Sequence, residues 1–529
     1  MSSLTETVSH RRTFAIISHP DAGKTTLTEK LLWYGGAIHE AGMVRAKKGR
    51  RAATSDWMKI EQQRGISVTS SVMSFEHDGH QMNLVDTPGH EDFCEDTFRA
   101  LAAVDSAVVL IDGAKGVEPQ TLKLMDVCRL RRTPVITFIN KCDRDIRDPL
   151  ELFDEIEKLL GPKVVPMTLP VGSGVSFKGV YSFHDQSFHS FAEYAKGDGE
   201  IRGTTGIHKI ALDDPRLDEI AGREAGKLRD LTELVSGACE SFDAKRYLDQ
   251  EITPVFFGSA LYNFGVKHLL DAIVNLAPAP QLRDSDVRVV EPDEEKFSGF
   301  IFKIQANMDP KHRDRLAFVR VCSGKFLRGE KVLHVRTGRE VRLASPTTFV
   351  AQDRSLVDEA FSGDIVGIHD PGIFAIGDTL TSGEKLQFEG IPEFSPEFFA
   401  RVLSTNPQRT KQLQKGLEQL TQEGAAQVFQ PFSGPHQVLG VVGRLQFEVI
   451  QFRLAEEYQA ECRFEPMSIW QGRWVTGPEE DVHTFREQNI FDCAQDRHGD
   501  LVYLPSHEFK MHLMQEKYPT LEFRGARKT

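Results

Sequence analysis

The run Ser18-His19-Pro20-Asp21-Ala22-Gly23-Lys24-Thr25 constrains this chain more than any other stretch. It follows the apolar Phe14-Ala15-Ile16-Ile17 and opens a segment, Thr25 to Trp33, without a helix breaker. Strand, tight loop and helix start in that order are the setting of a phosphate-cradling loop. A polyphosphate is densely negative, and backbone N–H groups at a helix N-terminus offer fixed positive partial charge. Gly23 lets the backbone come close, Lys24 would reach the β- and γ-phosphates, and Thr25 would offer its hydroxyl to Mg²⁺. Ser18 stands where the usual pattern has glycine. The loop therefore needs support from the rest of the chain.

That support comes in order. Asp86-Thr87-Pro88-Gly89-His90 follows the apolar Met82 to Val85. The Asp86 carboxylate would hold Mg²⁺ through a water. The Gly89 N–H would bond the γ-phosphate, so the next helix would respond to that phosphate. His90 lies beside Gly89, in reach of an attacking water; a lone histidine reads as a surface residue, but its place after Asp-x-x-Gly favours a role. Asn140-Lys141-Cys142-Asp143 closes another apolar strand. A carboxylate at Asp143 can accept from both N1–H and N2–H₂ of guanine, an arrangement adenine lacks. Lys141 would lay its stem over the base, and Ser259-Ala260 would reach the guanine oxygen through backbone N–H. Leaving such a carboxylate unpaired rejects the wrong base by ~10⁴–10⁵. Arg64-Gly65-Ile66-Ser67 would close over Mg²⁺, with Ser67 as a hydroxyl ligand. The chemistry implied is phosphoryl transfer from GTP to water, giving GDP, carried by positioning and charge neutralisation around Lys24, Gly89 and His90. No arginine finger is evident, so slow intrinsic hydrolysis with external activation is expected.

At 529 residues the chain is too long for one core. Residues 1–280 alternate apolar strands with helices, which predicts a doubly wound, mostly parallel sheet with an insertion near 171–250. In such sheets ligands bind beyond the strands' carboxyl ends, where Ser18, Asp86 and Asn140 all fall. Ala277-Pro278-Ala279-Pro280 is a stiff linker. Short strands with Gly turns over 281–387 predict a β-barrel. The order strand, helix, strand, strand, helix, strand from Phe398 to Phe464 predicts a ferredoxin-like α+β domain over 388–529. There Leu445, Val449 and Phe452 are expected to face inward, and residues 466–529 are expected to extend the domain with one or two helices and strands of unassigned place.

No apolar run approaches the ~20 residues of a bilayer span, so no membrane association is expected, and a cytoplasmic place is. Seven scattered cysteines form no Cys-x-x-Cys pair, which speaks against a zinc site or disulfide framework. A net charge of −13 argues against DNA and against wrapping nucleic acid with the whole surface. The basic run Arg45 to Arg51, taken alone, reads as a solvated loop.

These motifs together resemble the translational GTPases. The runs Ile17 to Thr26, Ser55-Asp56-Trp57-Met58 and Ile304 to Arg315 resemble that family's bacterial peptide-chain release-factor branch. The resemblance extends from about Arg11 to near the C-terminus. It implies a monomeric GTPase that binds the ribosome after peptide release, through ribosomal RNA and proteins. It would expel the class 1 release factor, with hydrolysis triggered by the large subunit and His90 orienting water. Pro20 and Ser67 depart from the wider pattern, which has an apolar gate residue and threonine. The nearest alternative is an elongation factor G-like translocation or remodelling factor. That family carries further domains, and only about 140 residues follow the barrel.

Overall fold

The computed structural model describes residues 3–38, 61, 67–190, 208–306, 315–343, 346–350, 353–388 and 393–527. The basic run Arg45–Arg51, Ser55–Met58, Arg64-Gly65-Ile66 and residues 307–314 lie outside the described residues.

The first body is built on seven strands. Their spatial order is Ser71–His77, His80–Asp86, Arg11–Ser18, Ser106–Asp112, Val135–Asn140, Ile252–Phe257 and Lys163–Pro166. All neighbours pair in parallel except the first two, a hairpin. Its turn is Asp78 (φ 46) and Gly79 (φ 71), the positive-φ pair that a two-residue hairpin turn requires. Strand Arg11–Ser18 alternates its side chains. Phe14 and Ile16 join the core under helices Lys24–Tyr34 and Val266–Leu276. Ala15 and Ile17 join the opposite core, under helices Cys94–Ala102, Pro119–Leu130 and Pro149–Leu160. A sheet apolar on both faces must be covered on both, which is why the chain winds doubly. In register, Ile16 lies opposite Asp86, Ser18 opposite Leu110 and Asp112 opposite Asn140, so the motif-bearing strand ends share one edge.

Helix Pro149–Leu160 and strand Lys163–Pro166 are elements the sequence reading left unassigned. Asp148 caps that helix, accepting from Leu150 N at 2.8 Å, and Pro149 fits its first turn. The insertion is a four-stranded antiparallel sheet of Thr168–Val171, Gly179–Ser182, Ser187–Ser190 and His208–Ala211. Helices Pro215–Ala221, Arg223–Ala238 and Ala244–Leu248 follow it.

An eight-stranded, antiparallel, curled sheet follows, closed around Ile301, Val319, Val321, Val332, Val366 and Leu380. The last body orders its strands Cys462–Met467, Phe398–Ser404, Val438–Val441 and Gln427–Pro431, the split order of a ferredoxin-like unit. The final stretch is not an appendage. Strands Cys493–Gln495, Leu501–Tyr503, Arg473–Thr476 and Glu522–Arg524 continue the same sheet to eight strands. One expectation is corrected here. On helix Leu445–Tyr458 the buried residues of the body's own core are Ile450 and Leu454, with Phe447 and Tyr458 packed against them. Leu445, Val449 and Phe452 turn the other way and pack with Val68 and Phe93 of the first body. The helix is apolar on two sides because it fills two interfaces.

Among the described residues no helix is long and apolar enough to cross a membrane. The seven cysteines are all free, and no cluster of metal-ligating side chains occurs among the described residues.

Candidate active site

The base end is assembled by one asparagine. Asn140 Nδ2 donates to Ala22 O at 2.8 Å, and its Oδ1 accepts from Ala260 N at 2.9 Å. Three motifs far apart in the chain are thus tied through a single side chain that is 3% exposed. Gly23 (φ +100) makes this approach feasible: a Cβ there would lie 2.5 Å from Asn140 Nδ2. Lys141 takes the left-handed conformation (φ 70) and sends Nζ to Asp21 O at 2.5 Å and Asp112 Oδ2 at 2.7 Å. Burial tends to raise the Asp112 carboxyl, but the bonds from Lys141 and Ala114 N outweigh it and hold it below the usual range. Asp143 Oδ1 accepts from Ser259 Oγ at 2.5 Å, which ties the carboxylate to the Ser259-Ala260 loop. Cys142 is fully buried, its N–H bonded to Gly258 O, so it props the loop from behind. The expected free donors of Ser259-Ala260 are already bonded. Ser259 N donates to Phe264 O and Ala260 N to Asn140 Oδ1. A guanine oxygen would share Ala260's N–H with Asn140.

At the phosphate end, Lys24 and Asp86 are both buried, with Nζ 2.5 Å from Oδ1. The loop is braced by His19 Nε2 to Glu118 Oε1 at 3.3 Å and by Ala22 N to His19 O at 3.3 Å. Thr87 Oγ1 bonds Ile16 O at 2.8 Å, stapling the acidic loop to the strand beneath Ser18. Gly89 rides over Pro20; a Cβ there would sit 3.6 Å from Pro20 Cα. Orphaned polar groups gather here, His19 Nδ1 among them. Asp86 Oδ2 and Ser18 Oγ are buried with no protein partner among the described residues. Native structures rarely bury polar atoms without partners. An anionic oxygen beside the helix start of Lys24–Tyr34, with Thr25 next to Lys24, fits Mg²⁺ and the phosphates it carries.

The sensing end is built differently. His90 caps the short helix Glu91–Phe93, its Nδ1 accepting from Asp92 N at 3.2 Å. Asp92 Oδ1 lies 3.5 Å from the same nitrogen. Ser67 is described, but the rest of its motif is not. Its neighbours Val68 and Thr69 donate to Glu61 Oε1 at 2.9 and 3.2 Å. Ser70 donates from its backbone to Asp96, and receives Lys303 Nζ on its carbonyl and on Oγ (3.1 Å). Burial lowers Lys303 below the usual lysine range despite Asp96 at 3.7 Å. Burial pushes the Asp96 carboxyl up, but Lys303 and Arg99 more than offset it, and it sits below its ordinary value. Glu61, Asp92, Asp96 and Lys303 escaped the sequence reading. Lys303 and Ser70 are 233 residues apart, and no local pattern pairs them.

The loops gathered at this sheet edge place the chain among the P-loop nucleotide hydrolases, and comparison narrows the class. The family described as elongation factor Tu GTP binding domain matches residues 9–279, so the chain belongs to the translational GTPases and is a GTP-hydrolysing enzyme. Elongation factor G domain 2 matches residues 296–383. Residues 388–515 match the C-terminal domain of the class II release factor RF3, which singles out release factor 3 within the family. A crystal structure of a protein from Thermus thermophilus superposes with a TM-score of 0.70 at 22% identity, covering 88% of this chain and 71% of that one. At that identity the likeness speaks for the fold alone.

Proposed function

We propose that the chain is a ribosome-dependent GTPase of translation termination that dissociates class 1 release factors after peptide release. The observation that carries this reading is the release-factor C-terminal domain joined to a GTPase body whose phosphate, sensing and base loops share one edge. The two carboxylate oxygens of Asp143 select guanine, Lys141 covers the base, and the N–H groups of the Ser18–Thr25 loop hold the phosphates. Lys24 leaves Asp86 for the β- and γ-phosphates on GTP binding. Thr25, Ser67 and Asp86 would hold Mg²⁺, which supplies charge neutralisation between the phosphates. Gly89 N–H reads the γ-phosphate, and His90 orients the water that attacks it. Loss of that phosphate loosens the sensing loop and the ribosome-bound form with it.

The test is dissociation of labelled class 1 release factor from post-release ribosomes, with and without this protein and GTP. The reading expects rapid turnover only when both are present. Release that is indifferent to the protein would end it, and elongation-factor-like translocation activity in the same preparation would replace it.

A further inference from the structure

Asp92 has a second partner, on another body. Its Oδ2 accepts from Leu445 N at 2.6 Å. Leu445 opens helix Leu445–Tyr458, whose own cap position, Arg444, is helical and gives no side-chain bond. The N-terminus of that helix is therefore capped from outside, by a carboxylate 353 residues upstream. The fit is close. A Cβ on Gly443 would overlap the Asp92 side chain, and one on Gly424 would overlap Arg99, whose Nη2 donates to Gly424 O at 2.9 Å. Phe93 plugs the seam between Val68 and Val449.

The same residue governs His90. A backbone N–H can only donate, so His90 Nδ1, facing Asp92 N, must accept. In the neutral ring the proton then sits on Nε2, which can only donate. Neither nitrogen is left to accept from a water O–H. In this arrangement His90 is parked.

We propose that Asp92 is a positioning residue that couples docking of helix Leu445–Tyr458 to the parking of His90. While the helix is docked, its N-terminus holds the Asp92 carboxylate, and the Asp92 backbone N–H, fixed with it, holds Nδ1. When the C-terminal body lifts, Asp92 gains freedom and Nδ1 is released to take a hydrogen bond from water. The inference rests on His90 being the water-orienting residue. It goes beyond that reading by giving the free protein a built-in restraint on hydrolysis.

The test is ribosome-free, single-turnover GTP hydrolysis by the full chain, with the KM for GTP measured beside it. Asp92→Ala removes the cap and should raise the hydrolysis rate about fivefold, the shift expected from losing one helix cap, with KM unchanged. Asp92→Asn keeps an acceptor oxygen and should stay near the parent. Gly443→Ala wedges the seam without touching Asp92 chemically and should match Asp92→Ala, so a folding defect in one variant does not decide the matter. In a His90→Ala background the gain should vanish. An unchanged rate in both Asp92→Ala and Gly443→Ala overturns the proposal, as does a gain that persists without His90. Failure of the underlying reading shows separately: His90→Ala alone would then keep full ribosome-stimulated turnover.

Discussion

The two ends of the nucleotide crevice are built on opposite plans. The base end is self-contained. Among the described residues, the side chains of Asn140, Lys141 and Asp143 bond loops of their own sheet edge: Ala22, Asp21, Asp112, Ser259 and Ala260. The sensing end borrows its supports. Ser70 leans on Lys303 of the barrel, Asp92 on Leu445 and Arg99 on Gly424 of the C-terminal body. A grip that must always recognise the same base gains from rigidity within one body. A loop that must report a phosphate to distant surfaces gains from contacts that can be made and broken. On the proposed reading, binding falls at one end and communication at the other.

The comparison can be broken most forcefully at His90. His90→Ala should lower ribosome-stimulated hydrolysis about a thousandfold, within the range for a positioned acid–base group, while fluorescent-nucleotide titration shows binding intact. Loss of binding would mean that the sensing end also grips, and the division of labour would fail.

A smaller effect is expected at the seam. Lys303→Met leaves buried Asp96 with Arg99 alone to offset its charge and should lower stability by about 3 kcal/mol, read by denaturant unfolding. Adding Asp96→Asn should recover most of the loss. If the single variant unfolds like the parent, the barrel is not bracing the sensing loop.

The smallest effect concerns a rigid part of the GTPase body and sharpens the contrast. His268 Nε2 lies 2.7 Å from His189 Nδ1, and His189 Nε2 lies 3.0 Å from Asp185 and 3.1 Å from Ser187 Oγ. Burial, with His189 beside it, pushes His268 down to about 4. The unfolded chain takes up this proton near pH 6.5, whereas the folded chain refuses it until near pH 4. Stability is therefore intact above pH 6.5 and falls as the pH drops toward 4, by about 2 kcal/mol at pH 5. Unfolding curves of His268→Gln should lose that slope; an unchanged slope would place the acid sensitivity elsewhere.

The contrast between the two ends also explains what the sequence disclosed. The base and phosphate motifs are legible because each sits within a few residues at a strand's end, where the chemistry demands fixed residue types. The unbroken apolar run Phe14 to Ile17 likewise told of a buried strand. The seam was not legible. Leu445, Val449 and Phe452 look like core residues at helical spacing, and only an unusually wide apolar arc, with Ile450 and Leu454 on its far side, hints at a second interface. Asp92 and Lys303 carry no local signal, because their partners lie hundreds of residues away. Ser259-Ala260 show a subtler limit. Sequence offered that loop's N–H groups as donors, and nothing in it signalled that Asn140 already engages one of them.

The central claim is that one rigid pocket selects guanine through Asp143. It is tested most directly by titrating Asp143→Asn with GTP and with xanthosine triphosphate. The account predicts that GTP affinity falls at least about a hundredfold and that the xanthine nucleotide binds about as well as GTP binds the parent. Undiminished GTP binding by the variant, with no gain for the xanthine nucleotide, would contradict it.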